Sequence, residues 1–249
     1  MFKIKSKIII ASILISAVSH PTHCKNIVSK TIEKIYCTLF GQEDLSPQYR
    51  IKMNKALVRH RIENPDQVLV KKMNGFASKL LNLNLYSFTL DGIWLNENLL
   101  EKCTPEERTF MMHHEAAHYK NNHHNKLLAK IVPVAVTLPA LTILFRNKIV
   151  PFKNRVAKYA VLSGLCILEL LGITELIARP TLKQQEREAD VSAAKALCAN
   201  GKIDAVQGYV QELENLIDNG YGNDYEPWHP TVAEQHAYLR PILTFYEKY

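Results

Sequence analysis

Two histidines and a glutamate form the most informative chemical pattern in the chain. His114, Glu115 and His118 belong to an HEAAH segment, which has the form HExxH. Residues four apart share one face of a helix, so the imidazoles of His114 and His118 can bind one Zn²⁺ ion together. Glu115 follows the first histidine, where a carboxylate can act as general base toward an attacking water. The pattern predicts a hydrolytic site with one zinc per chain.

A catalytic zinc needs a third protein ligand, and one candidate follows closely. His124 lies six residues after His118, as in the HExxHxxGxxH arrangement of metzincins, with Asn121 at the glycine position. Asparagine tolerates the left-handed conformation that would end the helix there. A metzincin also needs a methionine turn downstream, and the chain has no methionine after Met112. This absence weighs against His124 and predicts that it and His123 are surface residues.

The other candidate lies much later in the chain. Glu186 and Asp190 are four residues apart on a predicted helix and therefore share a face. One of them can ligate zinc while the other orients a ligand histidine. Glu188 is rotated away from this face and is predicted to be solvated.

The HExxH segment follows strong helix and strand signals. Thr104 is a suitable N-cap, Pro105 suits the first helical position, and Glu107 completes a capping box. Upstream, the apolar residues at 85, 86, 88 and 90 and the apolar run 93–95 flank an Asp-Gly turn and predict a short β-hairpin or paired edge strands. A strand at 93–95 could pair, as an edge strand, with an extended peptide.

The remaining segments are predicted to be mostly helical. The predicted helices are three pieces within 25–82, separated by breaks at 41–47 and 64–65, then 184–199, 203–217 and a final helix after a loop at 219–230. The expected fold is therefore mainly α with a small β-sheet (α+β).

Two apolar stretches, 127–145 and 156–178, lie between the HExxH helix and the Glu186 helix. Each is long enough to cross a membrane, although Glu169 would be costly in lipid unless it faces protein. The stretch 127–178 is therefore predicted to be a helical hairpin, either in a membrane or buried in a peripheral domain. Five cations between 146 and 158 favour a cytoplasmic loop, which would place both flanking segments outside.

Residues 1–20 have the anatomy of an export signal. Lys3, Lys5 and Lys7 precede an apolar run, which predicts a signal peptide or an N-terminal anchor and leaves 21–249 as the exported domain. Export would permit disulfides among the four cysteines outside the apolar stretches, with open pairing: Cys24, Cys37, Cys103 and Cys198.

The net charge of +7 does not indicate a nucleic-acid partner. The three N-terminal lysines and the five cations of 146–158 account for more than this excess, so the rest of the chain is nearly neutral. A basic binding face for nucleic acid is therefore not expected.

The order of strand, HExxH helix, apolar hairpin and ExxxD helix resembles the gluzincin peptidases of the HtpX and CAAX-prenyl-protease type, over residues 85–239. The resemblance implies a zincin-like domain, with the hairpin inserted between the two ligand helices. It implies His114, His118 and Glu186 as zinc ligands, Glu115 as catalytic base and Asp190 as support for a ligand.

The resemblance also draws in the segment WHPT at 228–231, which looks like the family's His-Pro segment. It implies that His229 faces the reacting carbonyl. The family usually has an arginine six residues after this histidine, and this chain has Gln235. Arg240 and His236 are the alternatives for that role.

The sequence thus predicts a zinc metalloendopeptidase that cleaves membrane or envelope proteins in quality control. Its expected partners are an unfolded or membrane-associated polypeptide and membrane lipid, with the active site on the extracytoplasmic, periplasmic side. Prenyl processing is disfavoured because the chain has few apolar segments. The alternative is a non-proteolytic, chaperone-like membrane protein with a structural zinc, although such a protein has no use for Glu115.

Overall fold

The computed structural model describes residues 41–73, 87–89, 92–145, 155–223 and 228–248. The predicted signal at 1–20, Cys24 and Cys37, and the loop at 146–154 lie outside the described residues. The strands are β1 (Val70–Lys72), β2 (Ser87–Thr89) and β3 (Ile93–Leu95). The α-helices are α1 (Pro47–Arg59), α2 (Glu97–Leu100), α3 (Pro105–Asn121), α4 (His123–Leu144), α5 (Arg155–Ile173), α6 (Arg179–Ala199), α7 (Ile203–Asp218) and α8 (Val232–Glu247).

The three strands form one small mixed sheet in the order β1-β3-β2. The central strand β3 runs parallel to β1 and antiparallel to β2, with Ile93 opposite Val70 and Thr89. The antiparallel pair agrees with the predicted hairpin. The expectation that 93–95 is an edge strand is wrong, because β3 has a neighbour on each side; among the described strands, β2 is the edge strand beside α3.

The helical prediction for the segment around Val68 is also wrong. Its apolar spacing fits a helix, but Val68 and Val70 are buried with the alternation of a strand, and β1 pairs with β3. A short apolar run is compatible with both periods, so here the partner strand decides the conformation.

Helix α3 lies between two hydrophobic clusters. Met112 and Ala116 pack with α1, β1 and β3 in the first cluster, and Phe110 packs with α6, α7 and α8 in the second. Gly208 allows α7 to approach closely, since a Cβ at this position would lie 2.7 Å from Cβ of Glu106. Because both sides of α3 are packed, the helix that carries the HExxH residues is held in place from two directions.

Helices α4 and α5 carry the two apolar stretches and pack against each other. α4 follows α3 after one left-handed residue, Asn122, with φ of 53°. α5 continues through a π-helical turn at Thr174–Ala178 into α6, so that Val156–Ala199 is one helical run of 44 residues. The apolar pair is therefore directly continuous with α3 and α6.

Both apolar helices are long and apolar enough to cross a membrane, and only 6% and 11% of their most apolar windows are buried in the protein. The large apolar side chains are therefore mostly exposed, including Leu144, Ile167 and Leu171. Glu169 is an acidic residue within the apolar helix α5, and it accepts a hydrogen bond from Thr142 of α4. The Glu169 carboxylate therefore contacts the neighbouring helix of the apolar pair.

Cys103, Cys166 and Cys198 are free thiols in the described part of the chain. Cys103 and Cys198 therefore form no disulfide with each other, and the other two candidate cysteines lie outside the described residues.

Candidate active site

Helix α3 presents the HExxH residues one turn apart. The predicted capping box forms: the Thr104 hydroxyl accepts from the backbone N–H of Glu107, and the Glu107 carboxylate accepts from the N–H of Thr104. His114 and His118 lie with their Nε2 atoms 3.0 Å apart. Glu115 lies between them in sequence and is buried at 6% exposure. The fixed helix start and the packed helix body therefore set the register of these side chains.

Helix α6 brings Glu186 to the same point. Its Oε2 lies 3.2 Å from His114 Nε2, and its Oε1 lies 3.4 Å from His118 Nε2. Ligand atoms around a tetrahedral zinc with bonds of about 2.0–2.1 Å are separated by about 3.3 Å, so the three side chains have the spacing that zinc requires. Among the described residues, these three side chains are the group whose ligand atoms lie close enough together to hold a metal ion; it is called the metal-compatible group below.

One carboxylate oxygen of Glu186 is buried without a hydrogen bond. Oε2 is buried and has no aligned hydrogen bond, although two imidazole nitrogens lie 3.2 Å away. Burial alone would raise the pKa of Glu186, but the imidazoles of His118 and His114 outweigh it and hold the pKa well below its usual value. An anionic, buried oxygen facing two imidazole nitrogens fits a metal cation.

Asp190 contacts His114 on the side of the ring that faces away from Glu186. Its Oδ1 lies 2.7 Å from Nδ1 of His114, which leaves Nε2 of that ring directed toward Glu186. Burial would lower the pKa of His114, yet the contacts with Asp190 and Glu186 raise it well above its ordinary value. Glu186 and Asp190, four residues apart on α6, thus both contact the ring of His114.

Tyr238 of α8 completes this support and was not predicted from the sequence. Its hydroxyl donates to Oδ2 of Asp190, and the guanidinium of Arg187 lies 5.2 Å from the centre of its ring. Burial and the negative charge of Asp190 raise the pKa of Tyr238, so the hydroxyl stays protonated and donates. No local signal marks Tyr238, because its role depends on how α8 packs against α6.

His229 lies beside the three-residue group. Its Nδ1 is 3.2 Å from Glu186 Oε2, and its side chain is 37% exposed, so it borders both the site and solvent. The loop holding it is tied down by Gln235, whose amide donates to the carbonyl of Pro230 and accepts from the Tyr209 hydroxyl.

His236 and Arg240, the two alternatives for the arginine that Gln235 replaces, both contact Glu214 of α7. His236 lies 3.1 Å from Glu214, and Arg240 lies 3.9 Å from the same carboxylate. Both therefore face α7 in this conformation.

The residues after the motif differ from two expectations. The left-handed residue that ends α3 is Asn122, not Asn121, and the chain continues as helix, so His124 is outside the metal-compatible group. His123 is not a surface residue, because it is 2% exposed and its Nδ1 lies 2.9 Å from Nδ1 of His118. Glu188 is exposed, as expected, and its Oε2 also lies 3.3 Å from His123 Nε2. The buried start of α4 against α6 creates these contacts.

The comparisons with known proteins give one match. The sequence model described as Peptidase family M48 matches residues 52–240, which is well over half of the chain and includes every site residue described above. The search of curated proteins and the search of solved structures find no match.

Proposed function

The chain belongs to peptidase family M48 and is a metallopeptidase, and we propose that it is a zinc-dependent endopeptidase acting on membrane or envelope proteins. The observation that carries the proposal is the group of His114, His118 and Glu186, whose ligand atoms lie within 4.8 Å of one another. Two imidazoles and one carboxylate are the donor set of a catalytic zinc that keeps a position open. The order of the motifs and the apolar helices favours the HtpX-like branch of the family.

When bound, zinc would supply Lewis acidity that polarises the scissile carbonyl and acidifies the attacking water. Glu115 takes a proton from that water as its oxygen bonds to the carbonyl carbon, and passes the proton to the amine as the C–N bond breaks. His229 donates a hydrogen bond to the carbonyl oxygen as negative charge develops there. Asp190 keeps the His114 ring in the orientation that directs Nε2 at the metal.

The substrate is proposed to be an extended or unfolded polypeptide. β2 lies against α3 and is the edge strand of the described sheet, so a peptide added beside β2 would run close to the HExxH residues. Backbone pairing of this kind is largely independent of side-chain identity and suits unfolded substrates.

The apolar pair α4 and α5 is proposed to sit in lipid. Its large exposed apolar surface and the internal pairing of Thr142 with Glu169 support this placement. The cations of 146–158 then favour a cytoplasmic loop, and the catalytic helices would lie on the extracytoplasmic side, consistent with export by residues 1–20.

Metal removal and restoration test the proposed reaction. We expect the purified protein in detergent to cleave unfolded casein, to lose cleavage and zinc together on treatment with a strong chelator, and to regain both with one zinc per chain. A protein that holds zinc stoichiometrically but leaves both casein and an unfolded membrane protein intact would instead favour the non-proteolytic alternative.

Cysteine labelling tests the orientation. In a cysteine-free background, Lys153→Cys should resist a membrane-impermeant reagent until the membrane is opened, whereas Lys202→Cys, an exposed position beyond α6, should label at once. Labelling of position 153 from outside would reverse the topology.

A further inference from the structure

The imidazole of His118 has a buried partner on the side away from Glu186. Its Nε2 faces the Glu186 carboxylate, and its Nδ1 lies 2.9 Å from Nδ1 of His123. The two rings meet nearly at right angles, at 85°, with their centroids 4.8 Å apart. His123 is only 2% exposed, so water does not compete readily for this contact.

Helix α6 holds His123 in place from two sides. The side-chain amide of Gln185 donates to the backbone carbonyl of His123 at 2.9 Å, in a buried contact. Oε2 of Glu188 lies 3.3 Å from His123 Nε2, but this nitrogen lacks an aligned hydrogen bond. The Glu188 side chain is 44% exposed, and its other oxygen, Oε1, accepts a hydrogen bond from the side-chain amide of Gln184 at 2.8 Å. The helix that carries Glu186 therefore also carries two contacts of His123.

Metal binding determines which nitrogens carry protons in the row formed by His118, His123 and Glu188. A histidine that offers the Nε2 lone pair to zinc must carry its proton on Nδ1, and can there only donate. His118 then donates to the bare Nδ1 of His123, which must carry its own proton on Nε2, facing Glu188. Every contact in the row thus has one donor and one acceptor.

We infer that His123 is a positioning residue for the zinc ligand His118, which it holds in the Nδ1-protonated form by accepting a hydrogen bond, with Glu188 fixing the tautomer of His123. This inference rests on the proposed zinc function. It gives the two metal histidines different supports: a carboxylate, Asp190, behind His114, and a neutral imidazole behind His118. Groups that orient a ligand in this way contribute strongly to metal affinity.

Three variants separate this role from mere packing. His123→Leu removes the acceptor, whereas His123→Asn keeps an oxygen near the position of Nδ1 and removes only the link to Glu188. His60→Leu is the matched control, because His60 is also 2% exposed and packs on His113 rather than on a zinc ligand. Zinc affinity is measured by competition with a chromogenic chelator, and the ligand field by the visible absorption of the Co²⁺-substituted protein.

We expect His123→Leu to weaken zinc binding about 10- to 100-fold and to alter the Co²⁺ spectrum. His123→Asn should recover most of the affinity, and His60→Leu should leave both readouts unchanged. Equal zinc affinity and equal Co²⁺ spectra in wild type and His123→Leu would overturn the inference, as would equal losses in the leucine and asparagine variants. If the wild type itself binds no zinc, the proposed function fails first.

A measurement on the wild type covers the case in which His123→Leu does not fold. Long-range ¹H–¹⁵N spectra of the zinc-loaded, ¹⁵N-histidine-labelled protein report the tautomer of each ring. We expect His118 to be protonated on Nδ1 and His123 on Nε2. A His123 ring protonated on Nδ1 would contradict the inference.

Discussion

Replacing Asp190 with Asn removes a charge from the site while keeping its shape. The Asn oxygen can still accept from His114 Nδ1, which lies 2.7 Å from the present carboxylate, whose side chain is only 4% exposed. A hydrogen bond to a charged group contributes about 1.5–3 kcal/mol and a neutral one about 0.5–1.5 kcal/mol. The difference, about 1–1.5 kcal/mol, corresponds to a loss of about 5- to 13-fold in zinc affinity.

The assay is zinc competition with a chromogenic chelator at fixed pH and ionic strength. Glu214→Gln is the control for charge, since Glu214 faces His236 and Arg240 rather than a zinc ligand. Asp190→Ala should lose more than Asp190→Asn, because it leaves both the Tyr238 hydroxyl and the His114 N–H without a buried partner. If folded Asp190→Asn protein binds zinc as tightly as wild type, the charge of Asp190 does not support the site and the reasoning is wrong.

Three further predictions address other parts of the account. Glu186→Ala should lose zinc by elemental analysis, whereas His124→Ala should keep it; the opposite result would restore His124 as a ligand. His229→Asn should keep zinc and lower kcat about 100- to 1,000-fold, and an unchanged kcat would remove His229 from the reaction. Burial and then Lys120 lower the pKa of His60 to about 4, so its neutral form is favoured on folding. Stability is therefore full above the unfolded pKa of about 6.5 and falls as the pH drops toward 4, by about 2 kcal/mol between pH 6.5 and 5. Urea unfolding should show this fall reduced in His60→Leu, and an equal fall in both proteins would refute it.

The parts of the site that could be predicted from the sequence are those fixed by local rules. Helical spacing places His114 and His118 on one face, and the capping box at Thr104 marks the helix start. The same spacing links Glu186 with Asp190. These arguments need only the period of a helix and the chemistry of its ends.

The parts that could not be predicted depend on which helices meet. His114 and Asp190 are 76 residues apart, and spacing alone left His124 as an alternative to Glu186. Tyr238 and His123 acquire their roles only because α8 and the start of α4 pack against α6. The strand β1 was missed for the same reason, since its conformation is set by pairing with β3.

The exposed apolar pair shows a different limit of sequence reasoning. The apolar stretches alone left a buried hairpin and a membrane hairpin open. In the described part of the chain, α4 and α5 have little buried surface, which is compatible with a membrane hairpin. Whether lipid covers these helices depends on where the protein sits in the cell, and the cysteine labelling at position 153 tests this.

The most direct test of the central claim compares the wild type with Glu115→Gln, measuring zinc content and casein cleavage on the same samples. The change keeps the size of the side chain and removes only the base, so zinc should remain at one per chain in both proteins. Cleavage should occur in the wild type and be abolished in the variant. Retained proteolysis in zinc-loaded Glu115→Gln would contradict the proposed mechanism.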